Sequence, residues 1–177
     1  LGMGETREDR VALLQTLALC NDSRIEQGTL HGDPTEGALL ALAAKGGVQR
    51  DEMLQHHPRV GEVPFDSDRQ YMGTFHAEDD GARLHVKGSP EAVLARCTHV
   101  LDDQGDAVPL DDARRERLEE ENRALAQQGL RVLGAATRTV ARDGLDTGED
   151  LSSHAQGLTF LGLVGMIDPP RPEAAEA

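Results

Sequence analysis

Residues 71–91 read YMGTFHAEDDGARLHVKGSPE, a strand, a tight turn, a second strand and a helix start in 21 residues. Strands are expected at 71–76 and 82–87, and Asp79-Asp80-Gly81 between them supplies a hairpin turn. Alternation assigns Gly73, Phe75, Leu84 and Val86 to one face, which should be core. Met72, Thr74, His85 and Lys87 fall on the other face, expected to lie outside the core. Gly88-Ser89-Pro90-Glu91 then opens a helix, with Ser89 capping and Pro90 at the first helical position. This helix should run to about Arg96.

Upstream, 59–65 is strand-like and 49–56 forms a short helical stretch. Gly32-Asp33-Pro34-Thr35-Glu36 spells another helix start, with Asp33 as N-cap and Glu36 where a capping box would have it reach back to the Asp33 N–H. That helix runs to Gly46-Gly47. Residues 5–19 carry Val11, Leu14, Leu17 and Ala18 on one helical face. Downstream, a small hairpin is expected around Asp103-Gln104-Gly105. The longest helix follows at 111–128, with Leu118 and Leu125 inward and Gly129 as its left-handed C-terminal residue. Residues 131–139 read as a strand, 141–157 as a surface loop, and 158–167, apolar on both faces, as a central covered strand. This order of elements specifies an α+β domain, a largely antiparallel sheet flanked by helices.

The chain has 177 residues and a formal charge of −14. One domain without disulfide or metal support is long enough to bury an aliphatic core. The negative field repels phosphate backbones and anionic lipid surfaces, which argues against nucleic acid as a partner. Aromatic residues make up only 2% of the chain, with three Phe, so a single well-placed Phe stands out. Lys occurs only at Lys45 and Lys87. Cys20 and Cys97 sit in helix-like stretches without metal-ligand spacing and read as buried free thiols. The pair His56-His57 lacks carboxylate or Cys partners and reads as loop surface; no metal site is expected. No apolar run approaches the ~20 residues of a membrane helix. The opening at Leu1 and the Pro-rich tail are expected to be boundaries of a piece cut from a larger protein.

Five separated segments carry a resemblance: Cys20-Asn21-Asp22, Gly32 to Leu39 (GDPTEGAL), Val63 to Arg69 (VPFDSDR), Val86 to Glu91 (VKGSPE) and Asp168-Pro169-Pro170-Arg171. In this order they resemble the nucleotide-binding domain of P-type cation-transporting ATPases, closest to the calcium and sodium/potassium pump branch. The resemblance implies an ATP-binding domain, residues 1–167, and a hinge segment, 168–177, leading to a phosphorylation domain. It also implies a cytoplasmic domain of an integral membrane protein, itself soluble and monomeric. Its partners would be ATP, as Mg-ATP in the whole pump, and the phosphorylation and actuator domains of the same chain. The family's phosphorylated Asp lies in an Asp-Lys-Thr-Gly-Thr motif that these residues lack. No catalytic residue is therefore expected here, and no ATP hydrolysis by the fragment. The transported ion is not encoded here, although calcium is the first expectation by resemblance.

The residues themselves admit plainer readings beside the implied ones. Phe65 is either a core ring or, by resemblance, the ring that stacks on adenine. Lys87 is either a surface Lys or a cation lining the pocket, its stem packed on the base, with Met72 on the same face as pocket floor and Gly88 next to it. Glu36 is either a capping-box residue or the acceptor for the adenine amino group. Arg131 either pairs with the acidic surface or offers its forked donors to phosphate or ribose oxygens, a role for which Arg69 is a second candidate. Gln70 departs from the family, where many relatives carry Lys near the phosphates. That departure is the one support for the opposing reading, a module that keeps the fold for interdomain contact without binding nucleotide.

Overall fold

The computed structural model describes residues 7–141, 145 and 150–167. Helix α1 spans Arg7–Leu19, and a small exposed ribbon, β1 (Arg24–Glu26) with β2 (Thr29–His31), leads to α2 (Pro34–Lys45) and α3 (Arg50–His56). Strands β3 (Arg59–Asp66), β4 (Tyr71–Glu78) and β5 (Gly81–Gly88) follow, then α4 (Pro90–Leu94), β6 (Cys97–Leu101), β7 (Ala107–Pro109), α5 (Asp112–Gln127), β8 (Leu130–Ala141) and β9 (Leu158–Ile167). The main sheet has the order β3-β4-β5-β8-β9-β6-β7, antiparallel throughout except where β6 runs parallel to β9. The α+β reading of the sequence is therefore what the structure shows. The expected hinge at 168–177 lies outside the described residues, as do parts of the 141–157 loop.

Local chemistry sets the element boundaries. Asp33 accepts from the Thr35 and Glu36 amides and starts α2 behind Pro34, and Ser89 accepts from the Ala92 amide to start α4. Helix α4 ends at Leu94, two residues short of the expected Arg96. Gly129, at φ 75°, takes the left-handed conformation that closes α5.

Both faces of the sheet are covered, which alternation alone did not predict. On the first face Val63, Tyr71, Phe75, Leu84, Val86, Val93 and Phe160 form the main core, with α4, α5 and a 3-10 turn at Leu151–His154 against it. Gly134 lets α4 approach: a Cβ there would lie 3.2 Å from Pro90 Cα and from the Phe160 ring. On the second face α1 lies across β5, β8 and β9, with Leu17, Leu39, Ala135 and Val164 buried between. Met72, Thr74, His85 and Lys87 are accordingly buried, correcting the expectation that their face stays outside the core. Strand β9 is interior, yet its coverage fades along its length, and Ile167 is exposed. Cys97 opens β6 instead of lying in a helix. Both thiols are free and buried, and burial pushes Cys97 up to about 12. Among the described residues no helix is long and apolar enough to cross a membrane.

The polar groups under α1 are paired. Thr16 Oγ1 lies 2.7 Å from His85 Nδ1, Thr74 Oγ1 donates to the Leu19 carbonyl, and His76 bridges Thr74 and the His57 carbonyl. Burial, and secondarily the nearby His76, Arg83 and His57, depresses His85 from 6.5 to about 3, and burial also lowers His76. A neutral buried imidazole that titrates near 6.5 once unfolded favours the native state above that pH. The contribution is lost as pH falls from 6.5 toward 3. Denaturant unfolding should accordingly show stability falling by about 1 kcal/mol per pH unit below 6. In His85→Gln the slope should flatten; an unchanged slope would assign the acid sensitivity to other groups.

Candidate functional site

The candidate residues converge where the α1–α2 layer ends over β3, β4 and β5. Met72 and Lys87 face each other across the β4–β5 ladder. Phe65 lies on β3 between the pairs Val63↔Gly73 and Asp66↔Tyr71, which places it level with Met72. Three steps along β3 there match two along β4, so β3 carries one extra residue. This bulge falls between Val63 and Asp66, beside Pro64, whose missing N–H suits an edge strand. It breaks the alternation that would have kept Phe65 with buried Val63. Phe65 is 63% exposed, while Phe75 and Phe160 are 0% exposed. The core-ring reading of Phe65 is thus excluded.

Lys87 is buried, and its Nζ lies 2.6 Å from Glu36 Oε1, with side-chain exposures of 7% and 15%. This corrects both plain readings: Lys87 is no surface Lys, and Glu36 does not reach back to Asp33. The second carboxylate oxygen, Oε2, accepts from the Asp22 amide and the Ser23 hydroxyl, each at 3.1 Å. Three donors on Glu36 outbid the single N–H that a capping box offers, so Asp33 caps α2 without it.

Beneath this pair Met72 is buried, and the Cys20 thiol donates to its carbonyl. Gly88 packs against the Gln70–Tyr71 backbone so closely that a Cβ would come within 2.3 Å of the Gln70 carbonyl oxygen. Gln70 itself has φ 58° and accepts from the Ser89 amide and hydroxyl, tying the β3–β4 turn to the start of α4. Asp66 caps that turn by accepting from the Asp68 and Arg69 amides, which hold its carboxyl below the usual range. The Arg69 guanidinium stands 3.9 Å from Asp66. Arg131, an exposed residue of the interior strand β8, donates to Thr35 Oγ1 at 3.3 Å, one residue from Glu36.

The structure thus draws Glu36, Met72, Lys87 and Gly88 into one cluster, sets Phe65 beside Met72, and brings Arg131 to the first turn of α2. Arg69 turns to Asp66. What the sequence reading missed is the turn after α1. Asn21, fully buried, donates to the Leu17 and Glu36 carbonyls and accepts from the Ser23 amide. Asn-Asp-Ser is the composition of a turn whose side chains bind nearby backbone, and that was the available signal.

A family model described as P-type ATPase, cytoplasmic domain N, matches residues 9–173. The chain is similar to the cation-transporting ATPase pma1 of Synechocystis sp., at 48% identity over 170 residues, which cover 93% of this chain and 18% of that protein. It is also similar to calcium-transporting ATPase 1 of Bacillus cereus, at 38% identity, with 93% of this chain and 18% of the relative covered. Against calcium-transporting ATPase type 2C member 1 of Homo sapiens the identity is 36%, with 93% of this chain and 16% of the relative covered. The chain therefore spans less than a fifth of the length of these relatives. The matched span takes in all but the first two residues of α1, the cluster around Lys87 and Glu36, and every strand of the sheet, and on that breadth of agreement the chain belongs to the family of P-type ATPase cytoplasmic N domains.

Proposed function

We propose that this chain is the ATP-holding domain of an ATP-driven cation transporter, residues 1–167 binding the nucleotide and 168–177 leading to the phosphorylation domain. The observation that carries the reading is the exposed Phe65 ring in a chain whose other two Phe are fully buried, level with Met72 and the Lys87–Glu36 pair. An exposed ring beside an apolar floor and a charged pair suits a flat, polar-edged base. Phe65 stacks on adenine, Met72 floors the site, and the Lys87 stem lies alongside. Glu36 accepts from the adenine amino group, and Gly88 keeps the backbone clear. Arg131 and Arg69 hold ribose or phosphate oxygens through their forked donors.

In this reading the domain works by delivery. It grips the base end of ATP, supplied as Mg-ATP, and leaves the γ-phosphate free to reach an Asp of the phosphorylation domain. Proximity on closure then accelerates phosphoryl transfer. The relatives' names make calcium the first candidate cation for the whole protein.

Titrating the chain with ATP should give saturable spectral shifts at Phe65 and Lys87, with phosphate release no higher than in a protein-free control. A protein kept only for interdomain contact would show no such shifts. Phosphate release that survives purification would contradict delivery without turnover.

A further inference from the structure

The turn after α1 reaches Glu36 from the side opposite Lys87, and its geometry divides the labour between the two carboxylate oxygens. A carboxylate offers about four lone-pair sites. On Oε2 two are taken, by the Asp22 amide and the Ser23 hydroxyl. On Oε1 one is taken, by the Lys87 ammonium. Counting the donors among the described residues, one acceptor site remains, on the oxygen that Lys87 already polarises.

Ser23 is fully buried, and its hydroxyl has a single proton with two acceptors in reach: Glu36 Oε2 at 3.1 Å and the Asp33 carbonyl at 3.4 Å. The shorter contact is also the charge-assisted one and should hold the proton. The turn that carries Ser23 is itself braced from three directions. Asn21 bonds to α1 and to the α2 backbone, Arg50 on α3 donates to the Asn21 carbonyl, and Arg59 on β3 pairs with Asp22 at 2.7 Å. Glu36 is therefore clamped at Oε2 by a rigid turn, leaving only Oε1 with capacity to spare.

We infer that Ser23 is a positioning residue for base selection: by occupying Oε2 it fixes the Glu36 carboxylate so that the one free acceptor site on Oε1 meets an exocyclic amino group. This rests on the nucleotide reading proposed above. A base with an amino group donates into that site. A base with a carbonyl at the same place sets oxygen against oxygen and is rejected. Without the Ser23 hydroxyl, Oε2 keeps only the Asp22 amide, the carboxylate is held less firmly, and the distinction between the two bases weakens.

The test compares ATP with ITP, which carries a carbonyl in place of the amino group, by calorimetry on the 177-residue chain. The unaltered chain should favour ATP, and Ser23→Ala should cut the ATP-to-ITP affinity ratio by roughly 3- to 10-fold. Ser23→Cys, a similar shape with a weaker donor, should give an intermediate ratio and serves if the Ala variant folds poorly. In a Glu36→Ala background Ser23→Ala should leave the ratio unchanged, because its effect passes through Glu36. A ratio unmoved by Ser23→Ala or Ser23→Cys, with ATP still bound, overturns the positioning role alone. Equal weakening of ATP and ITP also overturns it, as loosening without selectivity. Failure of the unaltered chain to bind either nucleotide overturns the nucleotide reading and this inference with it.

Discussion

Lys87→Met should lower the unfolding free energy by roughly 2 to 4 kcal/mol, the largest stability loss expected from any substitution at the site. Met nearly matches the length and volume of the Lys stem, so little of this loss reflects a cavity. The loss comes from Glu36, whose carboxylate is 15% exposed and would remain charged with its ammonium partner gone. Its Asp22 and Ser23 donors stay, which keeps the cost below that of a fully stranded buried ion. Adding Glu36→Gln removes the uncompensated charge, and the double variant should regain more than half of what Lys87→Met loses. Urea midpoints with an unchanged m-value check this directly. If Lys87→Met alone costs no more than a few tenths of a kcal/mol, solvent screens the pair and it behaves like a surface ion pair.

The same pair shows where the sequence was legible and where it was not. Local signals carried the elements: Asp33-Pro34 and Ser89-Pro90 start α2 and α4, Asp79-Asp80 joins β4 to β5, and Gly129 ends α5. Period-two alternation correctly separated Phe75 and Val86 from Met72 and Lys87. It could not say that α1 covers the second set, because coverage depends on where a helix more than 50 residues away docks. A strand pattern with Thr, His and Lys on one face looks solvated, whereas here Thr16, the Leu19 carbonyl and Glu36 satisfy those groups.

The capping-box reading of Glu36 failed for a related reason. Local spacing offered one N–H, and the tertiary structure offered three donors, one of them charged. Phe65 was ambiguous because a bulge next to Pro64 resets alternation, and a bulge leaves no period of its own in the sequence.

Phe65→Ala should weaken ATP and adenosine by a similar factor, on the order of 1 to 3 kcal/mol, because both ligands share the base and the lost contact is stacking. Inorganic triphosphate, which has no base, should bind as before. Stability should change little, since Phe65 is 63% exposed and sits at the end of an edge strand. Phe75, at 0% exposure in the main core, is the contrasting case. Phe75→Ala should cost about 3 to 5 kcal/mol of stability. The two variants therefore separate a ring that holds a ligand from a ring that holds the fold. Calorimetry with ATP, adenosine and triphosphate, beside urea unfolding of both variants, reads all the quantities at once. A folded Phe65→Ala that binds ATP as tightly as the unaltered chain would remove the stacking role. A loss for ATP much larger than for adenosine would not come from stacking, because an uncharged ring has little to offer an anion, and would point to a displaced Arg69 or Arg131 as the cause.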